Sequence, residues 1–319
     1  MRSLFVMDPL ERINVAGDST YVTMRECTDR GFSVSMCTPD ALYARDGRAR
    51  VVCRSVVTTR EAPHFQVGPA RDVDTGEFDI VWMRKDPPFD MSYVFTTYLL
   101  DMVPAPTVVV NGSRGLKQFN EKMWVVMSWP HLQPPTLVSN DIGRLCDFVR
   151  DQPGRSVLKP WDGNGGRGVV VTAGDDRNLR SLAEILTSEG RQYAIAQAYV
   201  PEVELGDKRI ILFDGEPVGA MLRVPQAKDF RANMHAGGTV QACELDPRDR
   251  QICDEIGPSL REHGMLFVGI DVIGPYLTEI NVTSPTGLQE IGRLNGVKLE
   301  ADLVDRAVAR TTGRERRGA

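Results

Sequence analysis

The sequence predicts a mixed α/β protein of more than one domain, and three observations support this fold class. The chain has 319 residues, which is long for a single hydrophobic core. As far as residue 111, apolar runs rich in β-branched residues alternate with helical patterns, the order typical of an open α/β sheet. After residue 207, two pairs of β-branched runs are joined by short turns and predict antiparallel hairpins. We therefore expect an N-terminal open α/β sheet domain followed by an α+β part.

The first predicted domain covers residues 1–121 and contains the open sheet. Strands are expected at 2–8, 32–37, 78–86 and 106–111, a helix at 19–30, and an irregular connection at 54–77. Ligands of open sheets bind at the carboxyl ends of the strands. Asp8, the run Arg84-Lys85-Asp86 and Asn111 all lie at such ends. An ordinary strand-to-loop transition explains the charged run equally well, so its role stays open.

The second predicted domain, residues 122–200, is marked by a glycine-rich loop between two strands. Helices are expected at 113–129, 141–151 and 177–188, the second capped by Asn140. Gly163, Gly165 and Gly168 formally match GxGxxG, but a β-branched run follows them, so the helix that a dinucleotide fingerprint requires is missing. No Gly-Lys-Ser/Thr follows either, which excludes a Walker A loop. Two interpretations remain: a loop whose amides close over phosphates beside Lys159, or a plain mobile hairpin.

The third predicted domain, residues 201–319, begins with a hairpin over 208–224 that carries Arg209 and Arg223. Two guanidiniums that converge with Lys208 are unfavourable unless they share an anion. The run RANMHAGGT contains Arg231 and Asn233 beside a glycine pair, a polar loop suited to cover a ligand. Helices are expected at 247–263 and 298–311.

A second hairpin, within residues 267–283, places two carboxylates and an amide on one face. If its turn has three residues, Asp271 lies opposite Glu279, and Glu279 and Asn281 point the same way because side chains alternate. Opposed carboxylates are unfavourable unless something neutralises them, and Mg²⁺ prefers oxygen donors of this kind. A polar sheet face exposed to solvent is an equally good explanation at this point.

Composition excludes several classes of protein. The formal net charge of -5 gives no basic surplus for nucleic-acid binding. The N-terminal apolar run is too short for a signal peptide, and no segment approaches the roughly 18 apolar residues of a membrane span, so we expect a cytoplasmic protein. The six cysteines form no CxxC pair, which argues against zinc and favours core thiols.

A set of motifs in order along nearly the whole chain resembles the bacterial-type glutathione synthetases of the ATP-grasp superfamily. These motifs are MDP with DST, MRKDPPFD, NEK, LKPWDGNGGRGV, AQAYVP, GDKRI, DGEPVGAMLRVP, RANMHAGG, GIDVIG and TEINVTSPTG. Each is weak alone, but together they are specific. The resemblance implies an N-terminal α/β domain, an ATP-grasp lid and a C-terminal catalytic domain, with ATP held between the antiparallel sheets of the last two.

The resemblance also implies roles for individual residues. Phosphate contacts are expected from Lys122, Lys159 and the loop Gly163, Asn164, Gly165, Gly166 and Gly168. Adenine contacts are expected from Gln197, Tyr199 and Val200, ribose contacts from Asp207, and a further nucleotide contact from Lys208. Arg209, Arg223, Arg231 and Asn233 are the expected catalytic residues, and Asp271, Glu279 and Asn281 the expected metal ligands. Substrate contacts are expected from Arg84, Lys85, Asp86, Ser284, Thr286 and Gly287.

The implied reaction joins glycine to γ-glutamyl-cysteine, with ATP and Mg²⁺ (or Mn²⁺) as cofactors and an acyl phosphate as intermediate. The implied assembly is a homo-oligomer, namely a tetramer, because members of the family are often tetramers. Two alternatives stay open: an ATP-grasp ligase that couples another amine to a γ-glutamyl or other peptide acid, and a nucleotide-binding protein that has lost catalysis. The complete phosphoryl-transfer set argues against the second alternative, because a binding module has no need of it.

Overall fold

The computed structural model describes residues 1–163, 165–225 and 239–315. The predictions for Asn164, Arg231 and Asn233 lie outside these residues. Within them the strands form three sheets, one for each predicted segment. No helix in the described part of the chain is long and apolar enough to cross a membrane. The segment limits at residues 121 and 200 fall between the sheets, and their status as domain boundaries stays a prediction.

The first sheet has a parallel centre and an antiparallel edge. Its hydrogen-bonded order is β3-β4-β2-β1-β6-β7, with β5 added on β4. The central strands β1 and β6 are buried along almost their whole length, as parallel strands covered on both faces must be. The elements are β1 (Arg2–Met7), β2 (Ser33–Cys37), β3 (Leu42–Arg45), β4 (Arg48–Thr58), β5 (Phe65–Asp74), β6 (Ile80–Arg84) and β7 (Val108–Val110), with α1 (Ser19–Asp29), α2 (Met91–Asp101) and α3 (Ser113–Gln118).

The prediction of an irregular connection over residues 54–77 is wrong, because β4 and β5 pair there as a long antiparallel hairpin. Val52 and Val57 of β4 are exposed, so apolar residues do not alternate cleanly with polar ones. β5 contains Gly68 and Pro69, two residues that argue against a central strand. An edge strand tolerates both, and this position in the fold is not visible from local pattern.

The second sheet is entirely antiparallel and has the order β10-β9-β11-β8. The helix predicted over 113–129 is in fact two helices, separated at residues 119–122, and Lys122 is the residue directly before the second helix. Asp141, rather than Asn140, caps the next helix by accepting from Arg144 N. The elements are α4 (Met123–Ser128), β8 (Thr136–Ser139), α5 (Ile142–Asp151), β9 (Ser156–Pro160), β10 (Val170–Thr172), α6 (Leu179–Leu186) and β11 (Ala194–Ala198).

The third sheet is antiparallel and has the order β14-β13-β12-β15-β16. Both predicted hairpins are confirmed. The sequence did not predict the short helix α8. It has only eight residues and begins at Leu288, directly after Gly287 at the end of the SPTG turn. The elements are β12 (Asp207–Phe213), β13 (Glu216–Val224), β14 (Thr239–Ala242), α7 (Pro247–Glu262), β15 (Phe267–Ile273), β16 (Tyr276–Asn281), α8 (Leu288–Asn295) and α9 (Leu299–Glu315).

The first and third sheets share their hydrophobic core, whereas the second sheet has its own. Two clusters of buried side chains each combine residues of both outer parts, such as Trp82 with Phe267 or Leu4 with Ile270. The third cluster consists of residues from 145 to 196 and contains the fully buried Leu145 and Leu158. The cysteines are free thiols, and all but Cys243 are buried, as predicted for core residues.

Asn111 joins the two outer parts. Its Nδ2 donates to the carbonyl oxygens of Phe267 at 2.7 Å and Val282 at 2.9 Å, and its Oδ1 accepts from Phe267 N at 2.8 Å. The side chain lies at the edge of the sheet where we expected ligands, but its hydrogen bonds are all with backbone of the third part. Its role is therefore to fix the hairpin of β15 and β16 against the first sheet.

Candidate active site

A cavity of about 610 Å³ lies between the second and third sheets and reaches the first. On the second sheet it is lined by Lys159 from β9 and by Gln197, Tyr199 and Val200 at the end of β11. On the third sheet it is lined by Asp207 and Arg209 from β12, Arg223 from β13, and Asp271, Glu279 and Asn281 from the second hairpin. Residues that the sequence places far apart therefore meet in one cleft.

The glycine-rich loop forms part of this cavity through Gly163, Gly165 and Gly166. Gly165, Gly166 and Gly168 have φ values of 59°, 70° and 72°, a left-handed backbone that glycine adopts without steric cost. Lys122 Nζ donates to the carbonyl oxygen of Gly163. The loop is thus shaped by its glycines and tied to a lysine from outside the sheet.

Two buried lysines lie at this site and differ in their surroundings: Lys159 lines the cavity, whereas Lys122 lies behind its wall against Gly163 and Glu279. Lys159 Nζ donates to Gln197 Oε1 at 3.1 Å, and burial lowers the pKa of Lys159 to about 8. Burial alone would lower the pKa of Lys122 as well, but nearby carboxylates together raise it, first among them Glu279 at 3.2 Å from its Nζ and then Glu121. Of these two lysines, Lys122 forms an ion pair with Glu279, and Lys159 forms none with a carboxylate of the described residues. A bound anion would therefore stabilise the charge of Lys159.

Two arginines converge on Asp271. The strand register places Arg209 opposite Asp271, and Arg209 donates to its carboxylate through Nε at 2.5 Å and Nη2 at 3.0 Å. Arg223 Nη2 lies 2.9 Å from the same carboxylate. Burial alone would raise the pKa of Asp271, but the two guanidiniums hold it at about 2. The carboxylate is ionised at any physiological pH and carries two positive charges beside it.

Asp207 completes this cluster on the side of residues 197–200, which we call the hinge. It lies opposite Arg223 in the hairpin and accepts from Arg223 Nη2 at 2.6 Å. Burial raises the pKa of Asp207 to about 6 in spite of this arginine, and its buried Oδ1 has no hydrogen-bond partner among the residues that the structure describes. A ligand hydroxyl is a group that would satisfy this oxygen.

The predicted opposition of Asp271 and Glu279 is confirmed, although the turn differs from the predicted one. Gly274 and Pro275 form a two-residue turn, so Ile273 pairs with Tyr276. An irregularity between Asp271 and Val272 then restores the predicted register. Asn281 Nδ2 donates to Asp271 Oδ2 at 3.2 Å, which leaves the amide oxygen of Asn281 facing the same site.

The oxygen donors of this hairpin fit a hard divalent cation. A Glu279 oxygen and the Asn281 amide oxygen are the accessible donors, and Asp271 can contribute one oxygen if an arginine moves to an anionic ligand. In the described ranges no group of three or more His, Cys, Asp or Glu side chains is placed to hold a metal ion. A cation here therefore needs further oxygen ligands, such as those of a bound phosphate.

Several predicted site residues are not in the cavity. Lys208 points to the opposite side of β12, where its Nζ pairs with Asp246 at 3.1 Å and with Asp249. Lys85 pairs with Asp8 at 3.1 Å. Gly168 and Gly287 shape the loop and the start of α8 without lining the cavity. Because β-strand side chains alternate, Lys208 cannot face the cavity together with its neighbours Asp207 and Arg209.

Arg84 is buried and serves the fold more than the cavity. Its Nε donates to Thr20 Oγ1 at 3.0 Å and its Nη2 to the carbonyl oxygen of Pro285 at 2.8 Å. Burial lowers the pKa of its guanidinium. Arg84 thus positions the Ser284–Thr286 turn, and Asp86, Ser284 and Thr286 are the predicted substrate residues that do line the cavity.

Glu121 is a residue of the site that sequence reasoning missed. Its Oε1 accepts from Val282 N at 2.9 Å, Thr283 N at 3.0 Å and Thr283 Oγ1 at 2.9 Å, and its backbone oxygen accepts from Ile280 N. Burial raises the pKa of this carboxyl. Glu121 therefore fixes the segment that bears Lys122 to the strand that bears Glu279. The NEK motif contained it, but only the structure shows the contacts.

Two family models and the sequences of curated relatives show that this chain is similar to glutathione synthetases. Residues 1–117 match the N-terminal domain of prokaryotic glutathione synthetase, and residues 121–296 match its ATP-grasp domain. Glutathione synthetase of Brucella melitensis is 46% identical over 306 residues, 95% of this chain and 97% of that protein. Glutathione synthetase of Agrobacterium fabrum is 44% identical over 300 residues, 94% of this chain and 93% of that protein.

Solved structures of ATP-grasp ligases share the fold at low identity. D-cycloserine synthetase DcsG has a TM-score of 0.63 at 16% identity, covering 96% of this chain and 99% of that one. D-alanine–D-alanine ligase of Bacillus anthracis has a TM-score of 0.61 at 11% identity, covering 100% of both chains. With the two family models that cover nearly the whole chain, these findings confirm the predicted fold class. The chain belongs to the prokaryotic glutathione synthetase family of ATP-dependent carboxylate-amine ligases.

Proposed function

We propose that this chain makes glutathione by joining glycine to γ-glutamyl-cysteine, through an acyl phosphate that forms beside Arg209 and Arg223. The observation that carries the proposal is the convergence of two buried guanidiniums on Asp271, next to Glu279 and Asn281. Such a cluster neutralises the charge of a phosphoryl group in transfer, and phosphoryl transfer needs positioning and electrostatic stabilisation more than a protein nucleophile.

The nucleotide lies along the cavity from the hinge to the arginines. The adenine contacts Gln197, Tyr199 and Val200. The ribose hydroxyls bind Asp207, whose Oδ1 has no hydrogen-bond partner among the described residues. Lys159 and the glycine-rich loop bind the phosphates. Lys122 holds that loop and Glu279 at the same time, so it couples the phosphate end to the metal end.

Asp271, Glu279 and Asn281 would hold the divalent cation, which we assign as Mg²⁺ with Mn²⁺ as a substitute. When bound, the cation neutralises phosphate charge and orients the transferred group. Asp271 keeps Arg209 and Arg223 in place until an anion binds. As a phosphate enters, the guanidiniums turn part of their hydrogen-bonding capacity to it, and a carboxylate oxygen becomes available as a ligand.

Ligation then proceeds in two steps that need no covalent enzyme intermediate. The cysteinyl carboxylate attacks the γ-phosphorus of ATP; the P–O bond to ADP breaks and an acyl phosphate forms. The neutral amine of glycine attacks the acyl carbon, the bond from that carbon to the phosphate oxygen breaks, and the departing phosphate takes up the proton that the amine loses as the peptide bond forms. Arg209 Nη1 also donates to the carbonyl oxygen of Thr286 at 3.2 Å, so the Ser284–Thr286 turn lies beside the arginine.

A cytoplasmic location and a homotetramer stay predictions.

An assay of phosphate release tests this proposal directly. With ATP, Mg²⁺, γ-glutamyl-cysteine and glycine we expect one phosphate released for each tripeptide formed, and little release when glycine is left out. A panel of other amines in place of glycine measures how strictly the amine is selected. Equal turnover with several bulky amines favours a ligase of another specificity, and nucleotide binding without any phosphate release contradicts the proposal.

The lowered pKa of Lys159 predicts that ATP affinity falls in alkaline solution. Bound phosphates favour the charged lysine, so below pH about 8 the lysine already carries its proton, and above it binding must take up a proton. We expect Kd for ATP to rise by up to about tenfold per pH unit above pH 8, since one pKa unit corresponds to tenfold. Titrations by calorimetry between about pH 7.5 and 9.5, where nucleotide phosphates are fully ionised, measure this.

Two lysine-to-arginine variants separate this effect from general alkaline destabilisation. Lys159→Arg keeps its charge throughout the range, so its Kd is expected to stay flat with pH. Lys122→Arg keeps Lys159 intact and is expected to show the same pH dependence as the unmodified chain, because the pKa of Lys122 is raised rather than lowered. A slope that persists in Lys159→Arg disproves the assignment.

A further inference from the structure

Two residues, Val282 and Thr283, join Asn281 of the predicted cation site to the Ser284–Thr286 turn of the predicted substrate site. We call these two residues the link. Both are buried, and the pairing of β16 with β15 ends at Asn281. Because a buried amide that lacks a hydrogen bond destabilises a fold, the two amides of the link need acceptors outside the sheet. The position of the link sets the distance between the two sites.

Glu121 supplies the acceptor for both amides of the link. Its Oε1 accepts from Val282 N at 2.9 Å, from Thr283 N at 3.0 Å and from Thr283 Oγ1 at 2.9 Å. A carboxylate forms stronger hydrogen bonds with amides than a neutral acceptor does. Asn111 holds the carbonyl side of the link, because its Nδ2 donates to the Val282 oxygen at 2.9 Å. Two residues of the first predicted domain therefore fix the link.

Removal of the Glu121 side chain would leave the neighbouring backbone contacts in place. The backbone oxygen of Glu121 accepts from Ile280 N at 3.0 Å, and Lys122 N donates to Asn120 Oδ1 at 3.1 Å. Neither hydrogen bond uses the Glu121 carboxylate. The hydrogen bonds that are lost would therefore be those of the link, and we expect Lys122 to keep its place beside the glycine-rich loop.

We propose that Glu121 is a positioning residue that couples phosphoryl transfer to ligation, by holding the Ser284–Thr286 turn at a fixed distance from Asn281. The inference rests on the proposed function and assigns a role in it to a residue that acts through the link. Ser284 and Thr286 line the cavity, and Arg209 Nη1 donates to the Thr286 oxygen at 3.2 Å, so the turn borders the proposed place of acyl phosphate formation. A misplacement of about 1 Å can slow a step between two bound reactants about 100-fold.

A displaced turn has a specific chemical consequence, because an acyl phosphate that does not meet glycine reacts with water instead. Water attacks the acyl carbon, and the bond from that carbon to the phosphate oxygen breaks. The carboxylate is restored, one proton of the water goes to the phosphate and the other goes to solvent. ATP is then consumed without formation of tripeptide. The ratio of phosphate released to tripeptide formed therefore measures the alignment of the site, whereas a loss of folded protein lowers both amounts equally.

Hydrogen exchange of the variant Glu121→Ala tests the contact itself, without nucleotide or metal. The amides of Val282 and Thr283 lose their acceptor, so we expect both to exchange at least about tenfold faster than in the unmodified chain. The amide of Ile280 is the internal control, because its acceptor is the backbone oxygen of Glu121 and is kept. Nuclear magnetic resonance measures the three amides separately.

The kinetics of Glu121→Ala test the proposed role, with phosphate and tripeptide measured in the same reaction. We expect about two or more phosphates for each tripeptide, where the unmodified chain releases one, because the acyl phosphate is lost to water. The KM for glycine is expected to rise at least about tenfold, since the turn no longer aligns the acceptor side of the site. The KM for ATP is expected to stay the same, because the proposed nucleotide contacts lie at the hinge and at Lys159.

Two milder variants and two controls accompany this test. Glu121→Gln keeps an oxygen that can accept from both amides and is expected to restore a ratio of about one phosphate per tripeptide. Thr283→Val removes one of the three donors and is expected to give an intermediate ratio. Glu300→Ala is the control for Glu121→Ala, because Glu300 is a buried glutamate that does not line the cavity. Thr75→Val is the control for Thr283→Val, because the buried Thr75 Oγ1 donates to the Ala49 oxygen at 2.9 Å, outside the cavity.

The outcomes distinguish this inference from the proposed function. If Glu121→Ala still forms one tripeptide per phosphate with an unchanged KM for glycine, the residue has only a structural role and the inference is overturned, even where turnover falls. Should Glu121→Ala fail to fold, a ratio for Thr283→Val equal to that of Thr75→Val overturns it as well. In both cases the unmodified chain still joins glycine, so the proposed function survives. Absence of any glycine-dependent phosphate release from the unmodified chain refutes that function itself.

Discussion

Replacing Asp271 with Asn is expected to unfold the site and to remove nearly all ligase activity. Asparagine has the same shape but no charge, so the buried Arg209 loses its ion pair with residue 271, and the buried Arg223 keeps its ion pair with Asp207. Breaking a buried ion pair by removing one partner costs about 3–5 kcal/mol. We expect the free energy of unfolding, measured by urea denaturation, to fall by that amount, and turnover at saturating ATP to fall at least about 100-fold, because the arginines are no longer positioned.

Asp214→Asn is the control for this variant. Asp214 lies in the turn between β12 and β13 and forms an ion pair with Arg310. This pair is partly exposed and lies outside the cavity. Exposed ion pairs contribute about 0–1 kcal/mol, so we expect a small loss of stability and unchanged turnover. Should Asp271→Asn turn out as stable and as active as Asp214→Asn, the central place of Asp271 would be refuted.

Replacing Glu279 with Gln is expected to cause the second large loss, this time through the cation. Glutamine keeps an oxygen donor and the side-chain shape but loses the charge that attracts the metal and balances Lys122. Metal ions contribute several kcal/mol to transition states of this kind, and each 1.36 kcal/mol is tenfold in rate. We expect turnover to fall about 100-fold or more and the Mg²⁺ concentration for half-maximal activity to rise, both measured in a Mg²⁺ titration of phosphate release.

Glu216→Gln serves as its matched control. Glu216 is on the same sheet, but its side chain is exposed and pairs with Arg306 at 3.0 Å away from the cavity. Its Mg²⁺ titration is expected to match that of the unmodified chain. Full turnover of Glu279→Gln at saturating Mg²⁺ would disprove the metal assignment.

The sequence predicted the parts of the site that depend on strand alternation. The opposition of Asp271 and Glu279 follows from period two and a short turn, and it survived an error in the turn because a local irregularity compensated for it. Alternation also shows why Lys208 faces away from Asp207 and Arg209, a consequence that the family resemblance hid. The hairpin of β4 and β5 was missed for two reasons. β5 is an edge strand exposed on both faces, and β4 carries the apolar residues Val52 and Val57 on its exposed side.

Contacts between distant segments could not be predicted from the sequence. Glu121 lies more than 150 positions from the amides it binds, and the loop at Gly17 meets Glu290 only because the first and third parts share a core. Arg84 has the charge of a substrate ligand, but its partners are Thr20 and the Pro285 carbonyl. Which charged residue faces a ligand and which faces the protein is decided by tertiary packing, which leaves no local pattern.

The separate core of the second sheet has a consequence for how the nucleotide enters and leaves. Opening the cleft moves residues 136–198 away from the rest of the chain without exposing the side chains around Leu145 and Leu158, which travel together. The hydrogen bond from Lys122 to Gly163 crosses this seam, and water can replace it at little cost because a hydrogen bond contributes little net free energy. We therefore expect residues 136–198 to move as one rigid unit when the cleft opens. On heating, we expect this segment to unfold cooperatively and before the part of the chain that carries Arg209 and Arg223.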